Sequence, residues 1–212
     1  LVRKHAGKFT YIIQLINYIS YTLVTDFNKY SDKELTSLIV EKGEIDAFGV
    51  LYDRYIKVIF NKVLATFGHF ENSEDITHDI FLKIFLRLKT YKGESAFSTW
   101  VYSITNHHII DIIRTEQKKN EFDADMEDFS SIPEEPDDEE LLNIKTNKLL
   151  NVLEQLTSEE RLILILKYRD ELSVKGITEV FGINESAAKM RVSRAKKKAY
   201  KIYKEQHKNI EV

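Results

Sequence analysis

The stretch from Leu172 to Lys198 constrains this chain more than any other. It holds a short apolar-periodic segment, a glycine turn, and a second segment whose charges have one sign. Ile177, Val180, Phe181, Ile183, Ala188, Val192 and Ala195 recur at helical spacing around Gly182. From Ser186 to Lys204 there are eight Lys or Arg and no Asp or Glu. Two helices joined by a tight turn, the second cationic, predict a helix-turn-helix, the unit that lays its second helix in a DNA major groove. Packing explains the apolar set, and the small Ala187 and Ala188 let the helices approach. The outer face then carries Ser186, Ala187, Lys189, Met190, Arg191, Ser193, Arg194 and Lys197 as candidate duplex-contacting residues. The first turns of such a helix reach base edges, and later basic residues meet phosphates. Arg194 is the better bidentate reader of guanine, and Lys189 serves either role.

The rest of the chain reads as helices too. Two Pro and seven Gly in 212 residues leave long stretches open to helix. Ser31 followed by Glu34 forms a capping-box signal, with a helix running from there to about Glu41 and stopping near Gly43. Ala47, Phe48, Leu51, Tyr55, Val58, Ile59, Lys62 and Val63 predict a long helix ended by Gly68. A third helix should start at Asn72-Ser73, and a fourth, capped by Ser95 or Ser98, should carry Trp100, Ile104, Ile109 and Ile113. Thr157 offers another N-cap before a run of Leu and Ile from Leu162 to Leu166. No strand pattern competes, so the expected fold is all-α, two small helical domains over residues 31–114 and 141–208.

Between them lies a segment of a different kind. From Glu121 to Glu140 there are eleven acidic residues and no basic one, and both prolines fall here. Removing those charges turns the net −3 into +8. Like-charge repulsion and low hydrophobicity predict a flexible acidic linker over residues 115–140. Residues 1–30 read as an extension: the apolar run from Phe9 to Val24 is shorter than the ~20 residues a membrane helix needs. With no Cys, disulfides and thiolate metal sites are excluded, which suits the cytoplasm. Nucleotide loops, metal clusters and nucleophile–base sets are missing from the pattern. The chain is therefore expected to be no enzyme, with no catalytic residue, cofactor or metal.

The N-terminal motifs carry a family likeness. The segment Glu74-Asp75-Ile76-Thr77-His78-Asp79-Ile80-Phe81-Leu82-Lys83-Ile84-Phe85, followed by Tyr91-Lys92-Gly93-Glu94-Ser95-Ala96-Phe97-Ser98-Thr99-Trp100-Val101-Tyr102-Ser103-Ile104, resembles region 2 of sigma-70-family sigma factors of the extracytoplasmic-function (ECF) type. Leu156-Thr157-Ser158-Glu159-Glu160-Arg161 and the helix-turn-helix resemble region 4 of that family. The resemblance implies an initiation subunit of bacterial RNA polymerase that reads a −35 element with region 4 and melts a −10 element with region 2. It implies that Asp75, His78, Asp79, Phe81 and Lys83 bind core polymerase. It assigns −10 contacts to Lys92, Ser95, Phe97, Ser98, Trp100, Asn106 and His107, and −35 contacts to the outer face of the second basic helix. Promoter DNA, core polymerase and an anti-sigma factor, often membrane-linked, are the implied partners, with no small-molecule substrate. The linker, in this family, threads toward the polymerase active centre, where an anionic strand suits positive channels.

This chain departs from the pattern in places. His78 stands where Gln is usual and keeps hydrogen-bonding ability. Ser103 and His107 replace Arg and Asn, and Ser186-Ala187 stand where Gly-Thr is common. Two other readings compete: a stand-alone helix-turn-helix regulator with a helical sensor domain, which predicts a ligand pocket and a palindromic site, and a polymerase-binding decoy, which predicts binding without promoter opening.

Overall fold

The structure, a computed structural model, describes residues 26–120 and 151–207. Most of the expected extension, most of the expected linker and the first ten residues of the expected 141–208 domain lie outside the described residues. The helices in order are α1 (Asp32–Lys42), α2 (Ala47–Phe67), α3 (Phe70–Arg87), α4 (Phe97–Asn120), α5 (Ser158–Leu164), α6 (Val174–Phe181) and α7 (Glu185–His207). Every regular element among the described residues is helical, as the sequence predicts. The chain falls into two compact units that divide after Tyr52.

The first unit begins with α1. Ser31 accepts the Glu34 amide, and the Glu34 carboxylate accepts the Ser31 N–H at 2.7 Å, a complete capping box. Leu35 and Ile39 are buried one turn apart, and Gly43 ends the helix in the left-handed region.

The second unit holds the rest of α2 and all later helices. Along α2, Tyr55, Ile59, Val63 and Phe67 are buried at helical spacing, whereas Val58, on the predicted stripe, is 44% exposed. Gly68 ends the helix at φ +80, a conformation that favours glycine, and a Cβ there would lie 2.8 Å from the Arg161 guanidinium, which would have to move aside. Helix α3 starts at Phe70, two residues before the expected cap. Ser73 is fully buried inside it, and its hydroxyl donates back to the His69 carbonyl. Helix α4 begins at Phe97, with Ser98 inside its first turn, and continues to Asn120. The expected stop at Arg114 is therefore passed by more than a turn. Thr115 is helical, and its hydroxyl bonds the Asp111 carbonyl.

Thr157 and Glu160 form the second capping box and start α5. Of the run from Leu162 to Leu166, Leu164 is only half-buried and the other four are buried, but the helix does not stay α: Ile165–Arg169 is a π-turn, closed by the Asp170 amide on the Ile165 carbonyl at 2.9 Å. Helix α7 packs on α5 and α6, and α4 packs on α3, α5 and α6. A buried cluster of Val152, Leu156, Ala199 and Ile202 anchors the far end of α7.

Polar ties among the described residues join the α2–α4 group to the α5–α7 group. The Lys62 ammonium, 3% exposed, meets Asp170 at 2.5 Å. Arg114 donates to the Phe181 carbonyl at 2.7 Å, and Gln117 donates to Glu159 at 2.5 Å. The two predicted groups of helices thus meet directly in this structure.

Candidate functional site

Helices α6 and α7 form the helix-turn-helix. The Ser173 hydroxyl accepts the Gly176 amide to start α6, and Gly182 ends it at φ 62 in the left-handed region. Asn184 then caps α7 by accepting the Ala187 amide at 2.8 Å. Buried Ile177, Val180, Phe181, Ala188 and Ala195 hold the two helices together. On the outer face Ser186, Lys189, Met190, Arg191 and Arg194 are exposed, and Ala187, Ser193 and Lys197 are half-buried. Met190 is 48% exposed, unusual for an apolar side chain. One flank of α7 is charge-paired: Arg191 bonds Glu159, and Lys198 meets Glu160 at 3.1 Å. A cleft of about 270 Å³ opens there between Glu159, Glu160, Arg191 and Arg194.

Helix α3 offers a second surface. Asp75, His78 and Asp79 are exposed, while Phe81 is buried at 5% and serves as core. Lys83 is half-buried, and its ammonium donates to Nδ1 of His108 at 2.5 Å, which requires a neutral imidazole there. Burial, then the Lys83 charge, hold the His108 pKa below its ordinary value. Sequence reasoning missed Leu82 and Leu86, which are 57% and 69% exposed. With Asp75 and Asp79 they form one outward ridge at positions four and seven apart. Their signal was present: two Leu four residues apart, off the stripe made by Ile80, Ile84 and Leu88.

The third group surrounds the turn before α4. Tyr91, Phe97 and Trp100 form an aromatic cluster, with ring centroids 5.2 to 5.5 Å apart. The Tyr91 hydroxyl donates to the Ser95 carbonyl at 2.7 Å and closes the turn. Lys92 and Ser95 are exposed, Ser98 and Trp100 half-buried, and Phe97 is buried against Tyr55 at 5.8 Å. Further along α4, Asn106 is 4% exposed, and its Oδ1 has no partner. Its neighbour His107 is exposed and donates from Nδ1 to the Ser103 carbonyl. At this position of α4 the open surface therefore belongs to His107. Among the described residues no cluster of His, Cys, Asp or Glu could hold a metal, and no helix is long and apolar enough to cross a membrane.

Residues 51–119 match the family model for sigma-70 region 2, and residues 146–198 match that for sigma-70 region 4. RNA polymerase sigma factor SigZ of Bacillus subtilis is 32% identical over 144 residues, covering 66% of this chain and 80% of SigZ. This chain belongs to the sigma-70 family. Its group is ECF: ECF RNA polymerase sigma factor SigW of Bacillus subtilis is 28% identical over 166 residues, with 74% of this chain and 89% of SigW covered. ECF sigma factor BldN of Streptomyces coelicolor is 29% identical over 165 residues, and the alignment spans 62% of BldN and 75% of this chain. Among solved structures, sigma factor RpoE of Bartonella quintana, crystallised with the anti-sigma factor NepR, shares the fold at a TM-score of 0.52 and 16% identity. That match covers 74% of this chain and 96% of RpoE. The chain is a promoter-specific transcription initiation factor of the ECF sigma type.

Proposed function

We propose that this sigma factor divides its work among the three surfaces described above. The ridge of α3, with Asp75, His78, Asp79 and Lys83 joined by Leu82 and Leu86, binds core RNA polymerase; Phe81 supports it from inside. Exposed leucines beside carboxylates give an apolar anchor with a charged rim, the pattern of a specific protein interface. Residues 31–114 form the −10 module and residues 141–208 the −35 module, with the acidic segment as tether.

Lys92, Ser95, Ser98, Trp100 and His107 meet the −10 strand. Trp100 and Tyr91 offer ring faces on which an unstacked base rests, and base–aromatic stacking contributes about 1–3 kcal/mol per base. Phe97 props that platform from beneath, and His107 takes the place on the surface of α4 that the buried Asn106 leaves. Ser186, Ala187, Lys189, Met190, Arg191, Ser193, Arg194 and Lys197 meet the −35 duplex. Arg191 must exchange Glu159 for a phosphate or base to do so.

The chain then carries no catalytic chemistry, cofactor or metal of its own, and works in the cytoplasm where polymerase and promoter DNA are found. An anti-sigma factor, the kind of partner seen with RpoE, is proposed to hold it inactive. The exposed reading face of α7, behind a matched region 2, is the observation that carries this reading over the lone regulator and the decoy. Trp100→Ala and Arg194→Ala test it in holoenzyme. The first should abolish promoter opening by permanganate footprinting while polymerase binding persists. The second should remove dependence on the −35 sequence. If both variants open promoters as the wild type does, the assignment fails.

A further inference from the structure

We infer that His108 is a positioning residue for the polymerase-binding face: its imidazole holds the Lys83 ammonium in place on α3, and acid releases it. The inference rests on the reading of Lys83 as a polymerase contact and adds a residue that reading does not use. His108 lies on α4, which packs on α3. It is 8% exposed, and its Nδ1 lies 2.5 Å from the Lys83 ammonium. Its Nε2 has no hydrogen-bond partner among the described residues. An aliphatic side chain would fill this place without an unpaired polar atom, so packing alone does not account for the imidazole.

The bond to Lys83 does account for it. Lysine carries its charge on a long, flexible stem, and an untethered ammonium samples many positions. Held by Nδ1, Lys83 is ordered before polymerase arrives, on the helix that also presents Asp79, Leu82 and Leu86. Ordering a contact in advance lowers what binding must spend on it. An ammonium only donates, so Nδ1 must accept, and the proton of the neutral ring then sits on Nε2.

Protonation reverses the contact. An imidazolium donates from both nitrogens, so Nδ1 no longer accepts and two positive groups face each other. Among the described residues the charged groups acting on His108 are Lys83 and Asp79 of α3 and Asp111 of its own helix. Helices α5 and α6, which also pack on α4, add none. Burial and then Lys83 keep the ring neutral below its ordinary 6.5, against the pull of Asp79 and Asp111. Once charged, His108 turns from Lys83 toward those carboxylates. Asp79 belongs to the polymerase-facing ridge, so acid disturbs two contacts of that ridge together.

The test measures the affinity of the full-length chain for purified bacterial core polymerase at about pH 7.5 and about pH 5.5, each variant against the wild type at the same pH. His108→Asn places an oxygen acceptor near the position of Nδ1 and does not titrate. It should match the wild type at the higher pH and bind about tenfold more tightly than it at the lower. His108→Leu offers no acceptor and should bind about tenfold more weakly than the wild type at the higher pH. Circular dichroism melts accompany each variant, and if His108→Leu does not fold, His108→Asn and Lys83→Met decide without it. Nitrogen NMR of the imidazole in the free chain gives a second readout. The neutral ring should carry its proton on Nε2, and Lys83→Met should raise the pH at which His108 titrates. The inference is overturned if His108→Leu folds and binds as tightly as the wild type. It is equally overturned if His108→Asn loses affinity with acid in parallel with the wild type, or if Lys83→Met leaves the His108 titration where it was. Lys83→Met also separates the two levels. If it weakens polymerase binding while His108→Leu does not, the reading of α3 stands and the inference alone fails. If it raises the titration yet binds polymerase as the wild type does, the assignment of Lys83 falls and takes the inference with it.

Discussion

Asp170→Ala probes the tie between α2 and the turn that leads into the helix-turn-helix. Lys62 is 3% exposed, and Asp170 Oδ2 lies 2.5 Å from its ammonium. The substitution leaves that ammonium inside the protein without its counter-charge. Breaking a buried pair from one side costs about 3–5 kcal/mol. The Asp170 side chain keeps 21% of its exposure, so water screens one end and the lower bound of about 3 kcal/mol applies. That is roughly a hundredfold in the folding equilibrium and roughly 6–12 °C in Tm for a chain of this size.

The pH dependence has a definite sign. Burial lowers the Lys62 pKa below its ordinary 10.5, and Asp170 pulls it back up. In the window below 10.5 the unfolded chain therefore binds more protons than the folded one, and stability rises with pH. Asp170→Ala removes the upward pull and widens that window, so its deficit should shrink as pH climbs toward 10.5. Lys62→Met with Asp170→Ala removes both charges and keeps an apolar stem; it should lie within about 1 kcal/mol of the wild type. Urea unfolding followed by helical circular dichroism, at neutral pH and at about pH 9.5, reads all of this. A single variant within about 0.5 kcal/mol of the wild type, or a double variant no better than the single, would refute the argument.

Other substitutions test other links. Gly68→Ala forces a Cβ into the left-handed region and against Arg161; it should cost about 1–2 kcal/mol in urea unfolding. Thr157→Ala removes half of the capping box of α5 and should cost about 1 kcal/mol, whereas Thr157→Ser should be nearly silent. His108 is held neutral below its ordinary 6.5 by burial and by Lys83. Its contribution is present above pH 6.5 and lost as pH falls toward the folded pKa, so thermal melts of the wild type should decline through that window more steeply than those of His108→Gln. Leu86→Asp, at a 69% exposed position, should leave Tm unchanged and abolish co-elution with core polymerase.

Much of this architecture was legible because its determinants are local. Ser31 with Glu34, and Thr157 with Glu160, announce their helices within four residues, and Gly68 and Gly182 mark stops that only a left-handed residue makes. Asn72 and Ser73 misled for a physical reason. A serine hydroxyl bonds backward to a carbonyl as readily as forward to an amide, and the buried Ser73 does the former. The π-turn at Ile165–Arg169 escaped because a run of five Leu and Ile carries no phase information.

The candidate site divides in the same way. The face of α7 follows from period and charge alone. The burial of Asn106 beside the exposed His107 depends on the rotation of α4, which the sequence leaves open. Lys62 is instructive: it sits on the apolar stripe of α2, and a lysine on such a stripe signals a distant counter-charge. Its partner, 108 residues away, has no local mark.

The most direct test of the central claim is run-off transcription by purified bacterial core polymerase on a genomic DNA library, with and without this protein. The account predicts discrete new transcripts whose start sites share two upstream elements. Tight duplex binding by the protein alone, with no polymerase-dependent transcripts from any start site, would contradict it.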